Sequence, residues 1–131
     1  ASFVRALSQG LRHDTSKTML AKGVCEARSG QTAKGIATLS QALQQNPGHA
    51  ALGVNLAELF YRNGQLQHAA LHIRRINQQA EWADAQTLWL GLRIERKLGQ
   101  QDQAQVLAQA LRTRFAGSRE VLALEGGAFD E

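Results

Sequence analysis

His68 and His72 stand four residues apart, a spacing that sets two imidazoles on one face of a helix, where they can share a metal ion. The rest of a metal site does not follow. No glutamate succeeds His68 as in His-Glu-x-x-His, no third ligand lies nearby in the chain, and Arg74 and Arg75 repel a cation. The pair therefore reads as surface polar residues. Cys25 is the one cysteine, so no internal disulfide is available. Within a helical pattern it reads as a buried, inert thiol. The run Lys22-Gly23-Val24-Cys25 does not resemble a lipoprotein cleavage site. Glu26, Glu58 and Glu95 fall at related places in successive helices and make no acid–base pair. Glycine-rich phosphate loops and Ser/His/Asp or Cys/His motifs are missing too. The sequence thus points away from catalysis, and it implies no cofactor and no metal.

The densest cluster with binding chemistry is Arg93, Arg96 and Lys97, with Trp89 one turn earlier. One reading is a contact site that seeks acidic or aromatic groups. The other is a solvated face, with Trp89 packed on a neighbouring helix. A nucleic-acid site would need a broader basic stripe and more aromatics. The formal net charge is only +4 and aromatics make up 5% of the chain, so nucleic acid is set aside. No stretch is apolar enough to span a membrane.

The elements that must position these residues announce themselves through a repeat. Gly30 and Gly64 are 34 residues apart, and Gly99 follows 35 later. Each closes a helical pattern and precedes a glutamine, as a left-handed helix cap does. Small residues recur in the helix before each glycine (Gly23, Ala57, Gly91) and in the helix after it (Gly35, Ala69, Ala104). Bulky residues follow the second set at Leu39, Ile73 and, less bulky, Ala108. Close approach at small residues, with larger ones filling the groove, is how a helical hairpin packs. The expected helices are 16–28, 32–45, 49–62, 66–79, 84–97 and 101–114, with a break at Asn46-Pro47-Gly48. Asp14 or Thr15 can cap the first helix and Asp84 the fifth.

This spacing resembles the tetratricopeptide repeat, and the implied fold is all-α: a superhelix of antiparallel helix pairs. Three repeats lie over 16–49, 50–83 and 84–117. Residues 1–15 read as the remnant of a preceding repeat, with Phe3, Val4, Leu7 and Leu11 forming a helix over 1–12 that offers a self-association surface. Residues 118–131 read as a capping helix and tail, with Ser118 as N-cap and Gly126-Gly127 as the stop. In such a stack the first helix of each pair lines the concave face. The implied groove residues are Lys17, Leu20, Val24, Ala27 and Arg28, then Ala51, Val54, Glu58, Tyr61 and Arg62. With Gly91 kept at the small position, the third set is Ala85, Leu88, Leu92, Glu95 and Arg96. The extra residue before Gly99 leaves that set open by one place. The groove is apolar along its middle, with Arg28, Arg62 and Arg96 along one edge to steer acidic groups.

Several stretches are more specific: Leu56-Ala57-Glu58-Leu59-Phe60-Tyr61-Arg62-Asn63-Gly64, the run from Leu88 to Gly99, and Leu111 to Glu120. Gly23-Val24-Cys25-Glu26-Ala27 adds to them. Over residues 15–131 the chain resembles the type IV pilus biogenesis and stability lipoproteins, PilF and PilW. Ala116 departs from the proline common there. The resemblance implies a protein-binding pilotin at the periplasmic side of the outer membrane, anchored by an N-terminal lipid outside these residues. Its implied partner is the pilus secretin, PilQ. A generic adaptor or co-chaperone holding a peptide in the groove is the alternative, and an accessory domain fused to an enzyme is a third reading.

Overall fold

The computed structural model describes the backbone of residues 2–129 and the side chains of residues 15–129. Among them are seven helices and no strand: α1 Ser2–Arg28, α2 Thr32–Gln45, α3 Ala50–Arg62, α4 Leu66–Asn77, α5 Ala85–Lys97, α6 Gln101–Arg114 and α7 Arg119–Glu125. They pair as the hairpins α1·α2, α3·α4 and α5·α6, and each hairpin packs on the next.

The three hairpin turns are built alike. Gly30, Gly64 and Gly99 have φ of +88°, +79° and +77°, which only glycine adopts freely. At each, the following glutamine N–H reaches back to the carbonyl five residues earlier: Gln31 to Glu26, Gln65 to Phe60 and Gln100 to Glu95, all at 2.9 Å. Hairpin closure then rests on small residues. A Cβ on Gly35 would lie 2.6 Å from the Gly23 carbonyl oxygen, so α1 and α2 touch backbone to backbone. The main core joins Leu39, Leu52, Leu56, Ile73, Leu90 and Ile94 across four helices. A second cluster, Leu88, Trp89, Leu92, Ala108 and Leu111, lies under α7.

The N-terminal expectation needs correction. Residues 1–12 and 16–28 do not form two helices; α1 runs unbroken from Ser2, so neither Asp14 nor Thr15 is a cap. The reason lies in the sequence: nothing between Arg12 and Ser16 interrupts a helix as Asn46-Pro47-Gly48 does. The self-association surface expected on Phe3, Val4, Leu7 and Leu11 lies outside the described side chains.

Asp84 does cap α5. Its side chain accepts from the Thr87 N–H at 2.8 Å, and the Thr87 hydroxyl accepts from the Asp84 N–H at 2.8 Å, a reciprocal capping box. Asp84→Ala is expected to cost about 1 kcal/mol in a denaturant melt; an unchanged midpoint would show that the connection, not the cap, fixes the start of α5.

Candidate functional site

Helix α1 contacts α3 and α3 contacts α5, so the first helices of the three pairs lie side by side, as on the concave face of a tetratricopeptide stack, and the turns fix how their residues align. Because the caps make Glu26, Phe60 and Glu95 equivalent, the three first helices are aligned from their C-terminal ends. The starts agree: Ala50 and Ala85 are 35 residues apart, as are Gly64 and Gly99. The extra residue therefore lies before α5, in the connection after Asn77, where Trp82 and Ala83 donate to the Gln79 carbonyl.

This moves the third groove set by one place. The residues matching Lys17, Leu20, Val24, Ala27 and Arg28 are Gln86, Trp89, Arg93, Arg96 and Lys97. Leu88, Leu92 and Glu95 are correspondingly not groove residues; they are 3%, 2% and 2% exposed. Leu92 takes the small position and Gly91 the bulky one. Ala104 and Ala108 opposite make room for Leu92, a compensation of volume between facing helices. The basic edge becomes Arg28, Arg62 and Lys97, all exposed.

Leu20, Val24, Val54, Glu58 and Tyr61 are partly exposed. Three adjoining clefts run along the first helices, of about 440, 350 and 320 Å³, and Asn55 lines all three. Val24 and Arg28 are shared by the first two and Glu58 by the last two. Glu58 holds Arg62 at 2.8 Å one turn on, which keeps that guanidinium beside the trough. The end of the face is aromatic and cationic. Arg93 lies 5.3 Å from the Tyr61 ring centre and 5.5 Å from that of Trp89, and Lys97 lies 4.9 Å from Tyr61. Cys25 is not buried: it is exposed and lines the first cleft, since Gly23, not Cys25, is the residue of that turn facing α2.

The three glutamates serve three ends. Glu26 accepts from the Thr38 hydroxyl at 2.6 Å and lies 3.8 Å from Lys34, which ties α1 to α2. Glu58 faces the groove. Glu95 is buried and receives Arg74 of α4 through two bonds of 2.7 and 2.6 Å, which joins the second hairpin to the third. That bidentate bond raises the Arg74 pKa above its ordinary value.

His68 and His72 also have a structural use. Phe60 occupies the place of Glu26, and both imidazoles lie against its ring, at 5.1 and 5.6 Å between centres. Among the described residues no group of three or more His, Cys, Asp or Glu is placed to hold a metal. Burial, then the neighbouring charges of His68 and Arg75, lowers the His72 pKa. A base whose folded pKa is lowered contributes stability that is present above its unfolded pKa of about 6.5 and is lost as pH falls through it. The chain is therefore expected to melt at lower temperature at mildly acidic pH than at neutral pH. His72→Phe is expected to flatten that dependence; an unchanged slope in the variant would assign it to other groups.

The tetratricopeptide repeat family matches residues 26–93. No curated protein matches the chain. Among solved structures, PilF of Pseudomonas aeruginosa is 18% identical with a TM-score of 0.73, over 87% of this chain and 51% of that one. PilW, a widely conserved type IV pilus biogenesis factor, is 28% identical with a TM-score of 0.74, over 81% of this chain and 48% of that one. The chain thus spans about half the length of the solved structures it matches. With a family match over half its residues, the chain belongs to the tetratricopeptide repeat family, and its fold is similar to those of PilF and PilW.

Proposed function

We propose that the concave face binds an acidic segment of a partner protein, and that the chain supports type IV pilus assembly through this contact. The observation that carries the reading is a continuous trough, apolar along Leu20, Val24 and Val54, beside a column of exposed cations at Arg28, Arg62 and Lys97. Apolar contacts give such a groove its hold, and the charges set orientation and association rate. The likeness to PilW favours a pilus partner, and the sequence resemblance names the secretin PilQ and a pilotin role at the periplasmic side of the outer membrane. No helix among the described residues is long and apolar enough to cross a membrane. Attachment there would rest on the lipid that the resemblance implies, outside these residues.

A dye on Cys25, beside the trough, reports the contact directly. Titration with the periplasmic region of the secretin is expected to saturate and to weaken as salt rises, because rim charges are screened within about 10 Å at 0.1 M salt. Affinity unaffected by salt would remove the basic column from the account.

A second reading draws on one cleft. Lys17, Arg28 and Asn55 line the same space of about 440 Å³, a set suited to the terminal carboxylate of a peptide in a generic adaptor. A peptide with a free C-terminus binding far better than its amide would favour it.

A further inference from the structure

We infer that Phe129 sits in a seat meant for an aromatic side chain of the partner, and that the partner binds there by displacing it. This rests on the reading that the concave face binds a partner, and it names what the last repeat recognises.

The seat is made of groove residues. Trp89 corresponds to Leu20 and Val54, and Arg96 to Ala27 and Tyr61, by the alignment of the caps. In the first two hairpins these positions face the trough. In the third, Trp89 is covered by the chain itself, while Arg96 stays exposed and lies against the ring that covers it. The Phe129 ring lies 5.7 Å from Trp89 at an interplanar angle of 30°, and the Arg96 guanidinium carbon is 3.7 Å from the Phe129 ring centre. An aromatic ring between an indole and a guanidinium meets both stacking and cation–π attraction.

The segment that delivers Phe129 is held lightly. Helix α7 has seven residues, none of them buried, and Leu122 is 68% exposed. Beyond it, Gly127 at φ +72° turns the chain, with Ala128 donating to the Ala123 carbonyl at 2.9 Å. Short elements with few buried contacts open locally at small cost. Glu125 pairs with Arg112 at 2.8 Å, so the same segment brings a carboxylate along with its aromatic ring. A cleft of about 560 Å³ adjoins the seat, lined by Leu92, Arg96, Arg112 and Leu124 among others. The chemistry this selects in a partner is an aromatic residue flanked by acids.

The test uses the full chain, labelled with ¹⁵N, and two capped peptides: Asp-Glu-Phe-Glu-Asp and the same peptide with alanine for phenylalanine. If self-occupancy holds the seat about nine-tenths of the time, removing it tightens apparent binding about tenfold. Phe129→Ala is expected to bind the phenylalanine peptide about tenfold more tightly than the parent and to move the Trp89 indole N–H signal, with no such gain for the alanine peptide. Gly127→Val, which opposes the turn and leaves the seat intact, is expected to shift affinity the same way, which separates displacement from damage to the cap. Equal affinity for parent and both variants, with the Trp89 signal still, would overturn the seat. If the peptides then move only the Arg28 and Arg62 amides, the groove reading survives without it; if they move no groove signal, both fall.

Discussion

Arg74→Ala is expected to be among the most destabilising single changes in this chain, at about 3 kcal/mol, because it strands a buried carboxylate. Glu95 is 2% exposed, while the Arg74 side chain is 45% exposed. The two partners are therefore unequal. Without Arg74, Glu95 keeps the cost of leaving water and loses both of its charge-assisted bonds. Without Glu95, the guanidinium turns to solvent. Glu95→Leu, which leaves no buried charge, is expected to cost under about 1.5 kcal/mol. Denaturant melts of the two variants check the ordering. If Glu95→Leu is the costlier of the two, the pair acts through the fit of Glu95 rather than through its charge.

Gly35→Ala is the second large effect, with an expected net loss of about 2 kcal/mol. The added methyl would stand 2.6 Å from the Gly23 carbonyl oxygen and 3.3 Å from Ala27. The first of these is backbone of the facing helix and cannot rotate aside, so α1 and α2 must separate. Alanine favours a helix over glycine by about 1 kcal/mol, which offsets part of the loss. Gly48→Ala is the control: nothing lies within 4 Å of its Cβ position, and its φ is not positive. Thermal unfolding is expected to show a clear drop for Gly35→Ala and almost none for Gly48→Ala. Equal melting would mean that the hairpin tolerates a wider spacing and that the small residues are not what closes it.

These two changes show what the sequence could and could not reveal. The hairpins were legible because Gly30, Gly64 and Gly99 mark left-handed caps and because Gly35, Ala69 and Ala104 recur five residues later. Both are local requirements, written in one residue type at one place. The third groove set was harder, since Leu90-Gly91-Leu92 offers its small residue one place early. Only the hydrogen bonds of the cap show that the extra residue falls before α5. Leu88, Leu92 and Glu95 therefore belong to the interior, and by the shifted alignment Trp89, Arg93 and Arg96 take their places. Contacts between hairpins left no signal. Nothing in spacing links Arg74 to Glu95, or Phe129 to Trp89, because each pairing depends on how one hairpin lies on the next. Cys25 misled through composition: free cysteine is usually buried, yet here Gly23 faces α2 and Cys25 faces out.

The cap alignment also gives the third hairpin a different character from the first two. Trp89, Arg93, Arg96 and Lys97 all reach one end of the concave face, where Tyr61 and Phe129 meet them. The trough over α1 and α3 sets Leu20, Val24 and Val54 beside Arg28 and Arg62, while the end over α5 adds aromatic rings to its cations. A partner segment lying along it would meet charge throughout and aromatic stacking at the α5 end, which gives binding a direction.

The most direct test is calorimetric titration of the full chain with the periplasmic region of the pilus secretin, for the parent and for Arg28→Glu/Arg62→Glu/Lys97→Glu. All three residues are exposed on one edge of the trough, so the triple variant is expected to fold and melt as the parent does. Binding to the parent is expected to saturate, and reversed charge at three rim positions is expected to weaken it at least about a hundredfold in the variant. Equal binding by the two folded proteins would contradict that expectation and move the contact off the concave face.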